Sequence, residues 1–349
     1  MPVHATNLTA PLSVQQLDGE LSEPRAETIA ALASCLGDVI VLGAGGKMGP
    51  TLARMVRRAL DAVDGDSRRV IAVSRWTSAD AEQEVKRGGI ETIRCDLLSP
   101  DAVRSLPRAP NVIFMAGQKF GTSGSPALTW GMNTLVPALC AEHFRDSRIV
   151  AFSTGNVYPL TPVDADGSRE EDPPGPVGEY AASCLGRERM FELGAQRYGT
   201  RASIIRLNYA TELRYGVLVD IASRVMSGEP VPLGMGYVNV IWQRDANRIA
   251  LEALARAAAP PYVLNVTGGE RLSVREIATW FATRFGKQAT FDGSERPDAL
   301  LSNTTRMRAE FTPADMPVAS ILELTAQWIE RGGPLLGKPT KFEARDGRF

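Results

Sequence analysis

The sequence predicts an α/β fold, a Rossmann-type doubly wound parallel sheet with a smaller C-terminal α/β substrate-binding region. Three observations carry that prediction. A short apolar strand runs into clustered glycines in Asp38-Val-Ile-Val-Leu-Gly-Ala-Gly-Gly-Lys-Met-Gly49. Leu52, Met55, Val56 and Leu60 then recur at helical spacing, as the buried face of an amphipathic helix does. Farther on, short apolar runs at 70–74, 92–94, 111–115 and 149–153 alternate with polar or helical stretches, the rhythm of parallel strands joined by crossover helices.

In the first of these elements, Gly43, Gly46 and Gly49 keep the spacing G-x-x-G-x-x-G, and Gly45 adds a fourth position without a side chain. A diphosphate can approach such a backbone closely, and the helix N-terminus beyond it offers unpaired N–H groups and a favourable dipole. Strand before and helix after make a dinucleotide site the reading rather than an ordinary turn. Ahead of this unit, residues 1–37 form an extension with a helix expected over 24–36, capped by Ser22 and ended by Gly37. The arm is expected to pack on the core or on a second copy of the chain, so a homodimer is an expectation. Residues 38–208 with 239–267 are assigned to the dinucleotide-binding domain, and 209–238 with 268–349 to the substrate-binding region. The stretch 163–178, rich in Asp, Glu, Pro and Gly, reads as a loop beside the site. The polar, glycine-containing residues 332–349 read as loosely held.

Composition narrows the function. With 349 residues, 44% of them hydrophobic, the chain can bury a sizeable core. Lys and Arg total 39 against 40 acids, so neither a nucleic acid nor an anionic membrane is an expected partner. The pairs Arg57-Arg58 and Arg68-Arg69 read as solvated faces. Without a membrane-length apolar run or a signal-like start, the cytoplasm is the expected location. Cys35, Cys95, Cys140 and Cys184 stand apart with no C-x-x-C pair, so reduced thiols are expected. His4 and His143 are the only histidines, which argues against a histidine-built metal site and a Ser-His-Asp triad. No metal is expected.

Several ordered motifs add a resemblance. Cys95-Asp96-Leu97, Met115-Ala116-Gly117, Asn133, the run Phe152-Ser-Thr-Gly-Asn-Val-Tyr158 and Tyr180 follow the glycine motif in order. Arg206-Leu-Asn-Tyr209, Asp245 and Asn265-Val-Thr-Gly268 continue it. Over about residues 38–330 the chain resembles the extended short-chain dehydrogenase/reductase superfamily, in its NAD-dependent epimerase/dehydratase branch. The resemblance implies Asp96 and Leu97 near adenine, Ala116, Gly117 and Asn133 at the cofactor, Thr154 and Tyr180 as the catalytic hydroxyls, and Asn208 at the substrate. It also implies a lysine four residues after the tyrosine, where this chain has Cys184. Lys119 is the first candidate to supply the missing cation, because UDP-galactose epimerases carry a lysine just after the same turn; Arg187, on one helix face with Tyr180 and Cys184, is the second.

Cofactor and reaction follow from further residues. Arg75 succeeds the strand 70–74, where an acid would bond the adenosine ribose, so NADP is favoured over NAD. Lys47 and Met48 complete the cofactor loop; Lys47 resembles the basic residue of dihydrodipicolinate reductases, whose histidine cluster has no counterpart here. Family dehydratases carry T-D-E where this chain has Thr154-Gly-Asn156, which disfavours dehydration. Nucleotide-sugar epimerases place an arginine where Val238 stands, and without it a nucleotide diphosphate loses a clamp. Arg214 and Arg224 are candidates for holding an anionic substrate. The implied activity is NAD(P)-dependent oxidation, reduction or epimerisation of a carbohydrate-like substrate, against a catalytically silent NAD(P)-binding regulator.

Overall fold

The computed structural model describes residues 9–348 apart from Asp66, Phe120, Thr122 and Ser123, so His4 lies outside the described residues. Seven strands build the central sheet: β1 (Val39–Leu42), β2 (Val70–Ser74), β3 (Glu91–Arg94), β4 (Asn111–Phe114), β5 (Arg148–Thr154), β6 (Arg201–Leu207) and β7 (Tyr262–Val266). Their order is β7-β6-β5-β4-β1-β2-β3, and every pairing is parallel. Strand order reverses between β1 and β4, which opens a crevice at their carboxyl ends. Every residue of β1 is buried, because helices cover both sheet faces and an unbroken apolar run then replaces alternation.

Two helices precede the sheet, α1 (Val14–Leu21) and α2 (Ala26–Ser34), and α3 (Gly49–Asp64) follows β1. Leu52, Met55, Val56 and Leu60 of α3 are fully buried against Val39, Val41 and Ala72. The opposite sheet face packs Ile40, Leu42, Phe114 and Phe144. A separate core gathers Leu213, Leu218, Trp242, Phe281, Trp328 and Phe342, around the helices Val217–Ser227, Val274–Phe285 and Val318–Glu330.

Several sequence expectations need correction. The arm holds two helices, not one: Ser13 caps α1, accepting from the Gln16 N–H at 3.1 Å. Ser22 ends α1 instead of capping α2, its hydroxyl donating back to the Asp18 carbonyl, and Cys35 rather than Gly37 closes α2. Burial decides this, since Leu17 and Leu21 of α1 enter the second core while Leu32 of α2 joins the sheet core. Nor are the arginine pairs wholly solvated. Arg57 is buried, donating to the carbonyls of Arg68 and Gly65, and Arg68 is buried, donating to those of Leu32 and Cys35 at the end of α2. The last residues are not loose either: Thr340 and Phe342 are buried, and the segment is bonded along its length.

Candidate functional site

The glycine turn shapes one end of the candidate site. Gly43 sits at φ +88°, and a Cβ there would lie 2.6 Å from the Ala116 nitrogen, so β1 and the turn after β4 touch backbone to backbone. Gly49 is pressed equally close on Ala44. A Cβ on Gly46 would meet only the Gly43 carbonyl at 3.3 Å, which leaves open space over the turn. That space belongs to a cleft of about 380 Å³ lined by Gly43, Gly45, Gly46, Arg75, Asp96, Leu97, Ala116 and Gly117. A bare backbone cradle at a helix start, with Arg75 at the rim and apolar Leu97 in the wall, fits a dinucleotide. Trp76 and Lys338 also line it.

Asn133 organises the floor. It lies fully buried in a π-helical turn, Gly131–Leu135, between two α-helical stretches. Pro137 explains the turn, since a proline removes one helical N–H and crowds the carbonyl four residues back, here that of Asn133. The side chain accepts from the Gln118 N–H at 2.9 Å and from Arg187 Nη2 at 2.8 Å, and donates to the Gln118 carbonyl and to Ser183 Oγ. Ser183 Oγ in turn donates to the Tyr180 carbonyl. One amide thus joins the turn 116–118 to the helix Gly178–Tyr198 that carries Tyr180.

At the second cleft, a chamber of about 160 Å³, the structure brings together Met48, Lys119, Thr154, Tyr180 and Asn208. Thr154 ends β5; its Oγ1 accepts from Asn156 Nδ2 at 3.0 Å and from the Asn156 N–H at 3.2 Å, and its hydroxyl is bonded to the Tyr180 phenol. Cys184 is fully buried, and its thiol is bonded to the same phenol. Burial pushes the phenol above its usual range, Cys184 adds to that, and the Arg187 charge opposes it. Burial likewise raises the Cys184 thiol.

Of the two candidate cations, Arg187 is buried one helical turn behind Cys184, with Nη1 donating to the Phe152 carbonyl at 2.6 Å. Lys119 Nζ stands 5.9 Å from the Tyr180 ring centroid and donates to the Thr340 carbonyl at 3.2 Å. Burial lowers its pKa to about 8. Lys47 leans toward this chamber rather than the cofactor rim, its amine 3.3 Å from the Tyr215 ring centroid. Burial, helped by the Lys119 and Lys338 charges, lowers its pKa to about 7.

Other candidates are placed elsewhere or otherwise engaged. The Asn208 amide nitrogen donates to Asn239 Oδ1 at 3.1 Å and to the Leu300 carbonyl. Asp245 bonds Arg248 and the N–H of Asp315, a joint between helix and loop. Arg214 pairs with Asp18 and Glu212, and Arg224 with Glu229; Val238 is buried in the second core. Among the described residues no group of three or more His, Cys, Asp or Glu is placed to hold a metal ion. Sequence reasoning missed Lys338 and Thr340, whose segment reads as polar and glycine-bearing. The isolated Phe342 two residues on is the signal of a docked segment.

Comparison with known proteins agrees with this fold. UDP-glucose 4-epimerase from Thermotoga maritima, solved with UDP-glucose, superposes with a TM-score of 0.69 at 17% identity, over 84% of this chain and 99% of that one. The UDP-glucose 4-epimerase of Thermus thermophilus, in complex with NAD, gives 0.68 at 22% identity over 84% and 99%. dTDP-glucose 4,6-dehydratase from Streptomyces venezuelae, a double mutant with NAD bound, gives 0.71 at 19% over 84% and 98%. At these identities the likeness shows a shared fold. No curated protein sequence matches the chain. The profile of the NAD dependent epimerase/dehydratase family matches residues 39–239, more than half the sequence, and the chain belongs to that family.

Proposed function

We propose that the chain binds NADP or NAD at the glycine turn and oxidises, reduces or epimerises a carbohydrate-like substrate by hydride transfer. The observation that carries this reading is the meeting of the Thr154 and Tyr180 hydroxyls in a chamber next to the turn. The turn of Gly43, Gly45, Gly46 and Gly49 would admit the diphosphate over Gly46, with Lys47 and Met48 on the side of the chamber. Asp96 and Leu97 would flank the adenine, while Ala116, Gly117 and Asn133 shape the opposite wall. Arg75 on the rim supports NADP; NAD, present in two of the related structures, is the alternative. Bound nicotinamide would supply the acceptor or donor of hydride.

The protein's own part is proton management. Tyr180 would take the proton of a substrate hydroxyl at its phenol oxygen during oxidation and return it during reduction, while Thr154 holds the same oxygen in place. Cys184 stands where the family resemblance implies lysine, so the cation lowering the phenol comes from Arg187, with Lys119 over the ring. Asn208 would face the substrate. The division into 38–208 with 239–267 and 209–238 with 268–349, a homodimer and a cytoplasmic site of action complete the proposal.

One observation favours a second reading, a regulator that binds cofactor without turnover: burial and Cys184 both hold the phenol protonated. Turnover assays with NAD and with NADP, over a panel of sugars and sugar acids, separate the two. Tyr180→Phe is expected to cut turnover about 10²–10⁴-fold and leave cofactor affinity unchanged. Cys184→Lys is expected to move the activity profile to lower pH by stabilising the phenolate. Turnover that survives Tyr180→Phe rejects the mechanism, and no turnover even in Cys184→Lys selects the regulator.

A further inference from the structure

Residues 334–348 run from the second core across the mouth of the chamber to the start of the Tyr180 helix. The Leu336 N–H donates to the Arg214 carbonyl at 3.0 Å. At Thr340 the N–H and the hydroxyl both donate to Asp220 Oδ2, at 2.7 and 2.6 Å, while the carbonyl accepts from Lys119. The Phe342 side chain is buried in the second core, and Arg345 donates to the carbonyls of Gly234 and Asp298 and pairs with the Asp298 carboxylate. Gly347 then packs on Val177 and Gly178. The segment is therefore bonded to both sides of the crevice.

Two hollows flank it. The chamber beside Tyr180 holds about 160 Å³ and has Thr340 in its wall. A second hollow of about 240 Å³, walled by Arg214, Asp220, Lys338 and Phe342, shares no lining residue with the first. A nucleoside diphosphate joined to a sugar needs a continuous groove, and pockets for ligands of drug size span roughly 300–1,000 Å³. At about 160 Å³ the chamber lies below that range, and the bonded tail separates it from the neighbouring hollow.

We infer that this C-terminal segment takes the place along the crevice that the nucleotide half of a larger substrate would need, so the site selects a small, unactivated polyhydroxy compound, up to one sugar ring. The inference rests on the proposed hydride-transfer site and narrows its substrate class. The chamber wall suits such a compound: Asn156, Asn208, Tyr209 and Tyr215 line it together with Thr154 and Tyr180.

Saturation-transfer NMR on the full chain with NAD or NADP tests this without requiring turnover. Signal transfer is expected to at least one free monosaccharide, sugar acid or polyol of the panel, and not to UDP-glucose or UDP. The double variant Asp220→Asn with Arg345→Ala unties two polar anchors of the segment, and it is expected to admit UDP. Transfer to UDP-glucose in the unaltered chain, competed away by UDP, overturns the inference, as does transfer to none of the small compounds. Binding of a small compound without any turnover defeats the hydride-transfer reading and leaves the size selection standing.

Discussion

Gly43 and Gly46 differ in what a side chain would meet, and that difference separates fold from site. At Gly43 the left-handed backbone and the Ala116 backbone 2.6 Å away leave no room for a Cβ, so Gly43→Ala is expected to destabilise the protein by about 1–3 kcal/mol, read from the denaturant midpoint. At Gly46 the added atoms would enter open cleft, so Gly46→Val is expected to leave thermal stability nearly unchanged while weakening dinucleotide binding. Undiminished affinity for both NADP and NAD would remove the turn from the site. Lys119 gives a pH test. Its folded pKa of about 8 lies below the ordinary 10.5, so between those values the unfolded chain binds more protons and stability rises with pH. Below about pH 8 the cost of the buried charge is fully present. Lys119→Met should flatten that rise in unfolding curves taken at several pH values. Thr154 and Tyr180 were legible because each belongs to a local motif. The burial of Arg187 was not, because it depends on contacts with Asn133 and Phe152 from two other elements.

The helix through Asn133 shows how an element aims a residue. Its π turn sets one amide between the 116–118 turn and the Tyr180 helix, with four hydrogen bonds. Asn133→Leu would strip buried groups of their partners at about 1–3 kcal/mol each. The expected result is a drop in stability of at least that order together with weaker cofactor binding; a variant as stable as the parent would show that the bridge is unimportant. The proline that widens this helix is visible in the sequence, yet the direction of the amide is not, since it follows from the π register. Strand periodicity gave β1 to β5 to within a residue or two of their ends. The strands β6 and β7 escaped as strands, although their last residues belong to recognised motifs. They lie at one side of the sheet and pair with each other and β5, a neighbourhood that local alternation does not announce.

At the scale of the whole molecule, two cores meet at the crevice and the C-terminal segment ties them. Phe342→Ala is expected to cost roughly 3–5 kcal/mol, measured by denaturant unfolding, because the ring is buried among second-core residues; a loosely held tail would show almost no change. Composition misled here, since one buried phenylalanine and a few backbone bonds fix a segment that is otherwise polar. The same core joins distant parts of the chain. Leu17 and Leu21 of α1 pack in it with Trp328 and Phe342, and the Ala10 N–H donates to Gln327, 317 residues away, at 2.8 Å. Contacts of such separation form late, because closing a long loop must precede any gain from them. While the polypeptide is being synthesised, the parallel sheet can assemble from residues 39–266 before Ile321, Leu324, Trp328 and Phe342 of the second core exist. The second core then waits incomplete, and a chaperone that shields exposed apolar residues is expected to hold the chain through that interval.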